Sequence, residues 1–405
     1  MIPAFRFPNF WFLSMRVCFW SNIPSHLEVP ALRVLSGWWP DPVYAIWCSD
    51  VTEDRRLLGW QKPHSAALQQ IVLPANGPEQ AARKLMGDFA DAIHILGGFH
   101  AYGPIISAYR EAARRGIVNL AIMAEPGVAL GWKGWLRPWR ARWLAREYIP
   151  HIKAVLAMGQ HGLDFYRRAG FSPAKLFPFM YQCEAYEKPV TAQVHDPVRL
   201  VYAGKFISRK GVDIMLRALA ECRRHNWHLQ IMGDGPGRAR MQALAEARGI
   251  GPRIEWLGAQ PSDRIMDLLS QNDVCLIPSR FEGWGVVCNE ALQTGLAVIC
   301  SDKATSRELV QASQAGKIFR SGDSSELAGC LESLLENPES IREMRHKAIA
   351  YRSRITPDVV GHYFRDVLAH VFLGEGSRPA PCWLEPSPDE EETPIDRNAQ
   401  KQGCS

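Results

Sequence analysis

The chain has 405 residues, 47% of them hydrophobic and 22% charged, with a formal net charge of +5. That composition suits a globular protein with two cores, at about 100–200 residues each; the mild, dispersed charge excludes a dedicated nucleic-acid binder while permitting contact with phosphates or acidic lipids. Ten scattered cysteines with no Cys-x-x-Cys pair exclude a disulfide framework and a zinc site, and no apolar run nears the roughly 18–20 residues of a membrane span.

Taken in chain order, residues 1–14 ("MIPAFRFPNFWFLS") lack a long apolar segment and a small-residue cleavage site, so they read as a short extension and not as a signal peptide; either Met1 or Met15 is the start. From Met15 short apolar runs alternate with helical segments, the pattern of a parallel α/β domain. Strands are expected at "RVCFW", "VYAIW", "AIHIL", "NLAIMA" and "AVLAMG". The helix "PIISAYREAARRG" closes on Gly116.

The polar, proline-containing segment "YEKPVTAQVHDP" then reads as an interdomain linker. Beyond it six further strands are expected: "VRLVYAG", "WHLQIMG", "RIEWLG", "DVCLIP", "LAVICS" and "AGKIFR". Helical segments separate them, which makes a second doubly wound sheet. Cys275 and Cys300 fall inside these runs as small core residues of a reducing cytosol. The expected division is residues 15–188 for the first Rossmann-like domain, 189–197 for the linker and 198–355 for the second domain. A late helix follows Thr356-Pro357 over 356–373. Residues 375–405 are rich in proline and charge and are expected to be disordered.

Three loops of the second half follow strand ends, where open α/β sheets bind ligands. "AGKFISRKG" carries Gly204, Lys205 and Lys210. "MGDGPGR" carries Gly233 and Gly235. "SRFEGWGVVCNEALQTG" carries Glu282, Gly283, Trp284, Gly285 and Glu290. Glycines permit close backbone approach to a phosphate, helix N-termini offer free N–H groups, and lysines add charge. The two glutamates, eight positions apart, accept from vicinal hydroxyls and suit the ribose and sugar ends of one elongated ligand. Together these describe a pocket for a nucleotide diphosphate.

In order and spacing, "YAGKFISRKGVDIMLRAL", "LQIMGDGP", the run from "IEWLGAQP" to "AVICSD" and "AGKIF" resemble the retaining GT-B glycosyltransferases of the group 1 (family 4) type, over roughly residues 198–335. The resemblance implies an α/β GT-B architecture, with two Rossmann-like domains facing a cleft and the final helix crossing back to the first. It implies transfer of a sugar with retention from a UDP- or GDP-linked donor to a glycan or lipid-linked acceptor, in surface polysaccharide or glycolipid assembly, with no cofactor or metal. The chain accordingly has no Asp-x-Asp. Lys205 and Lys210 stand where that family grips the diphosphate, Glu282 at the carboxylate facing the transferred sugar and Glu290 at the one binding ribose. Gly283, Trp284 and Gly285 would add backbone contacts.

The first half departs from the family. "SNIPSHLEVP" stands without glycine where a Gly-rich loop is usual, and Glu125 in "NLAIMAEPG" stands where a histidine is common. Glu125 is therefore either an acceptor-orienting or basic group or a loop residue before Pro126; His100 is another strand-end candidate or a bystander. "GWKGWLRPWRARWLAREYIPHIK" interleaves tryptophans with arginines from Trp132 to Arg146. It suits peripheral contact with an anionic membrane on its cytoplasmic face, or else tryptophans packed on the domain with solvated arginines.

Two rivals remain in view. "GDGPGR" after a strand, with Glu255 further on, has the outline of a nicotinamide-dinucleotide fingerprint, but Arg238 holds the third glycine's place and Glu282 and Glu290 stay unexplained. A catalytically degenerate, transferase-like assembly partner would account for the weak first half, yet the donor-side residues look intact.

Overall fold

The computed structural model describes residues 15–57, 62–63, 65–98, 102–127, 139, 141–143, 146–222 and 225–385. Its contacts divide the chain into two units, one of residues 1–181 with 357–380 and the other of residues 182–356 with 381–405.

In the first unit seven parallel strands form one sheet: β1 (Val17–Ser21), β2 (Val43–Trp47), β3 (Gln69–Val72), β4 (Ile93–Leu96), β5 (Leu120–Ala124), β6 (Ile152–Met158) and β7 (Leu176–Phe179). Their order is β3-β2-β1-β4-β5-β6-β7. The chain runs outward from β1 to one edge, then returns to β4 and runs to the other, so the C-terminal ends of β1 and β4 form the topological switch point. β1 and β4 are buried at every position, as continuous apolar strands covered on both faces should be. The strands β3 and β7, absent from the expected set, are the two edges of this sheet. An edge strand needs less apolar sequence and tolerates a proline such as Pro178.

The helix Val29–Trp38 packs against the helix Pro357–Leu368 in this same unit. Gly361 permits that approach: a Cβ on it would lie 2.5 Å from the Cβ of Val34.

The second unit holds six parallel strands: β8 (Val198–Ala203), β9 (Trp227–Met232), β10 (Ile254–Gly258), β11 (Val274–Ile277), β12 (Ala297–Ser301) and β13 (Gly316–Phe319), in the order β10-β9-β8-β11-β12-β13. β8 and β11 are neighbours at the switch point, with β9 beside β8, so the three loops singled out above emerge side by side at one end of the sheet.

Two expectations need correction. Residues 189–197 are not a loose linker; they are tied to the second unit through Asp273 at the start of β11. This fully buried carboxylate accepts from His195 Nδ1 at 2.9 Å, from the Arg199 amide at 2.8 Å and from Arg345 at 2.6 Å, and Arg345 also donates to the Thr191 carbonyl at 2.8 Å. Nor is the segment 375–385 a disordered tail. Arg378 donates to the Ala174 carbonyl at 2.7 Å and lies 4.1 Å over the Phe177 ring in the first unit. Trp383 is then fully buried in the second unit, where Tyr351 donates to its carbonyl. One aromatic anchor overrides the polar composition around it. Residues 386–405 lie outside the described residues, as do 1–14.

Candidate functional site

The loop after β8 is shaped by close backbone packing. Gly211 has φ +68°, and a Cβ on it would lie 1.9 Å from the Pro278 carbonyl oxygen at the end of β11. Gly233, at φ +139°, would collide in the same way with the Gly204 carbonyl, at 1.9 Å, and Gly235, at φ +152°, would crowd the Phe206 amide at 2.9 Å. These glycines bring the three loops together; their first structural duty is toward one another. The supposed dinucleotide fingerprint at Gly233–Gly237 is thus explained by packing on residues 204–206, and Glu255 accepts from Gln230 at 2.9 Å.

The loop after β11 crosses the loop after β8 and is laced to it. The Arg280 amide donates to the Arg209 carbonyl at 2.8 Å, its guanidinium donates to the Ser208 carbonyl at 2.8 Å, and both its terminal nitrogens bind Asp213 at 2.7 Å. Glu282 is held on its other side: its amide donates to the Lys303 carbonyl at 3.0 Å, and its carbonyl accepts from the Thr305 hydroxyl at 3.0 Å. Trp284 is fully buried, its indole donating to Asn289 at 2.8 Å. Gly283 beside it is buried, and Gly285 adopts φ +97° to turn into the helix Val287–Gln293.

That frame aims the Glu282 carboxylate at two cations. Lys210 Nζ donates to Oε2 at 2.5 Å and Arg209 Nη1 donates to Oε1 at 3.1 Å; the Ser279 hydroxyl adds a bond to Oε2 at 3.3 Å. Burial pushes the Glu282 carboxyl up, but Lys210 and Arg209 outweigh it and hold the group below the usual carboxylate range. Lys205 is exposed on the same loop. Of the residues singled out in the sequence, Lys210 and Glu282 are in contact; Arg209 and Arg280 were missed, and their signal lay in their nearness to Lys210 and Glu282.

Glu290 sits in the first turn of the helix Val287–Gln293 and is half-buried. Among the described residues no hydrogen-bond or ion-pair partner is found for its carboxylate, and burial pushes its pKa up to about 7. The two glutamates therefore differ in character: one is neutralised by cations, the other waits for a donor.

In the first unit Glu125 directly follows β5 and is exposed. It lies within electrostatic reach of Glu28, whose carboxyl is pushed up to about 8 by burial, with Glu125 adding to the rise and the Ser21 hydroxyl bond opposing it. Glu28 precedes the helix Val29–Trp38 and accepts from Ser21 at 3.1 Å; the sequence reading passed over it as part of a glycine-free loop. His100 lies outside the described residues, as do Trp132, Trp135 and Arg140. Trp139 and Trp143 are 59% and 63% exposed, one helical turn apart with Ala141 buried between them, and Arg146 lies 5.6 Å over the Trp143 ring. Among the described residues no group of three His, Cys, Asp or Glu side chains converges as a metal site requires, and no helix is long and apolar enough to cross a membrane.

Two Rossmann-like parallel sheets in one chain make up the GT-B glycosyltransferase fold, and solved structures of that fold superpose on nearly the whole chain. One is Anabaena HepE in complex with UDP, with a TM-score of 0.68 and 14% identity over 88% of this chain and 100% of that one. Another is WaaG, a glycosyltransferase involved in lipopolysaccharide biosynthesis, with a TM-score of 0.58 and 16% identity over 87% of this chain and 99% of that one. Residues 186–353 match the family described as glycosyl transferases group 1. An alpha-D-kanosaminyltransferase of Streptomyces kanamyceticus is 26% identical over 51% of this chain and 58% of its own length. A D-inositol 3-phosphate glycosyltransferase of Nocardia farcinica is 28% identical over 38% of this chain and 36% of its own. The chain thus covers little more than half the length of the first of these relatives and about a third of the second.

Proposed function

We propose that the chain transfers a sugar, with retention of configuration, from a nucleotide diphosphate donor to a glycan or lipid-linked acceptor. The observation that carries this reading is the meeting of Lys210, Arg209 and Glu282 at the adjacent ends of β8 and β11, inside the part of the chain that matches the group 1 family. Lys205 and Lys210 supply positive charge for the diphosphate, which gains negative charge as the sugar–phosphate bond breaks. Fixed cations and backbone N–H groups aimed at that charge are the largest source of acceleration such a site has. Glu282, kept ionised, accepts from hydroxyls of the transferred sugar. Glu290, with no partner among the described residues, accepts from the ribose diol.

No step in this scheme calls on Glu282 as an acid, which agrees with its depressed pKa. The Anabaena protein was solved with UDP, which supports a UDP-linked donor here. In the first unit Glu125 would orient or deprotonate the acceptor. The exposed pair Trp139 and Trp143 beside Arg146 suits peripheral attachment to the cytoplasmic face of an anionic membrane, where amphipathic rings and basic groups bind best. That placement supports a lipid-linked acceptor and a role in surface polysaccharide or glycolipid assembly.

The test is to incubate the protein with UDP- and GDP-sugars and a lipid extract, follow nucleotide release, and read the anomeric configuration of the product by NMR. Retained configuration, with release lost in Lys210→Ala, supports the reading; an inverted product refutes the stereochemical part of it.

A further inference from the structure

Glu282 is served by two cations, one for each carboxylate oxygen, and they are not equivalent. Lys210 reaches Oε2 at 2.5 Å through a flexible four-carbon stem. Arg209 Nη1 forms two bonds at once, to Glu282 Oε1 at 3.1 Å and to the Phe281 carbonyl at 2.9 Å, so the guanidinium grips both the side chain and the backbone of the loop it faces. Its own backbone is fixed by the Arg280 amide on the Arg209 carbonyl and by the Arg280–Asp213 pair. A planar guanidinium in a two-point grip stays in place, whereas an ammonium is a compact charge free to turn.

We propose that Arg209 is a positioning residue that keeps Glu282 ionised and aimed at the sugar while Lys210 turns to the donor diphosphate. The inference rests on reading these loops as a nucleotide-sugar site.

Charge bookkeeping carries it further. A diphosphate entering beside Lys210 competes with Glu282 for the same ammonium. Were Lys210 the carboxylate's sole cation, donor binding would leave a largely buried negative charge next to a second one, and Glu282 would take up a proton and lose an acceptor lone pair. With Arg209 on Oε1 the carboxylate keeps a cation throughout, and Lys210 is released at little cost. Among the described residues, the ionisable groups facing Glu282 are Arg209 and Lys210 of its partner loop and Tyr202 of β8; the Tyr202 phenol is pushed up by burial, with Glu282 adding to the rise. Tyr202 therefore stays neutral and cannot replace Arg209.

The experiment uses the full chain and calorimetric binding from pH 5.5 to 8.0. UDP and GDP are compared with UDP-glucose, UDP-galactose, UDP-N-acetylglucosamine and GDP-mannose, and the sugar nucleotide that binds wild type tightest is carried through. Arg209→Ala should bind the bare nucleotide with the same pH dependence as wild type, whatever the change in absolute affinity. Its affinity for the sugar nucleotide should fall about tenfold more than wild type between pH 8.0 and 5.5, a one-unit change in the protonation equilibrium. Arg209→Lys, which restores the charge, should recover most of the pH profile. A merely structural Arg209 would lower affinity equally at every pH, and parallel profiles for wild type and Arg209→Ala would overturn the inference. If wild type binds no nucleotide at all, the reading of the site falls and takes the inference with it, a result distinguishable from parallel profiles.

Discussion

Gly211 and Pro278 are in backbone contact: a Cβ on Gly211 would fall 1.9 Å from the Pro278 carbonyl oxygen, in a residue already at φ +68°. This contact sets the spacing between the loop that carries Lys210 and the loop that carries Glu282. Gly211→Ala should therefore cost about 3 kcal/mol or more, the range of mutations that force backbone to move. Gly249→Ala is the control, since φ is +69° there but nothing lies within 4 Å, and its cost should be about 1–2 kcal/mol from the left-handed conformation alone. Urea unfolding of both variants makes the comparison; equal costs would show that the close approach does not constrain the loops.

Glu290 gives a pH prediction. Burial lifts its carboxyl from the ordinary 4.5 to about 7. Between those values the unfolded chain has lost the proton and the folded one keeps it, so stability contributed by this group falls as pH rises through that window and levels off above it. Glu290→Gln should flatten that fall. If ribose hydroxyls donate to this carboxylate, nucleotide binding favours the ionised form and releases a proton near neutral pH. The binding enthalpy in wild type should then depend on the ionisation enthalpy of the buffer, and in Glu290→Gln it should not. Buffer-independent enthalpy in both would separate Glu290 from the ligand.

Much of this arrangement was legible in the sequence, and the reason is physical. All six strands of the second unit are short apolar runs bounded by Gly, Pro or Asp, and the chemistry-bearing residues follow them directly, so reading strand ends located Lys210 and Glu282 together. Edge strand β3 escaped because its Gln69–Val72 stretch is half polar, and edge strand β7, apolar though it is, escaped because Pro178 stands inside it. Arg209 escaped because its role depends on which oxygen of Glu282 it meets. Glu28 escaped because its significance comes from burial, and burial is a property of the packed chain.

Trp383 escaped for the same reason, and it is testable. Burying a tryptophan completely in a segment of proline and charge means that the segment is part of the second unit's core. Trp383→Ala should cost about 3–5 kcal/mol, and ending the chain after Ala380 should cost a similar amount. Thermal denaturation of either variant within one degree of wild type would show the anchor to be dispensable.

Trp139 and Trp143 should act as a pair on lipid. Replacing both with Ser should leave the melting temperature unchanged, since both rings are mostly exposed, and should release the protein from vesicles containing anionic phospholipid in a flotation assay. Unchanged flotation would remove the membrane from the account.

The most direct measurement is thermal stabilisation of wild type and Lys210→Ala by UDP and by GDP. A nucleotide at 100 times its dissociation constant stabilises a protein by about 2.7 kcal/mol, a readable shift. One of the two nucleotides should stabilise wild type, and Lys210→Ala should lose that stabilisation with its unliganded fold intact. Equal stabilisation of both proteins, or of neither, would contradict the assignment of the paired loops after β8 and β11 as the donor site.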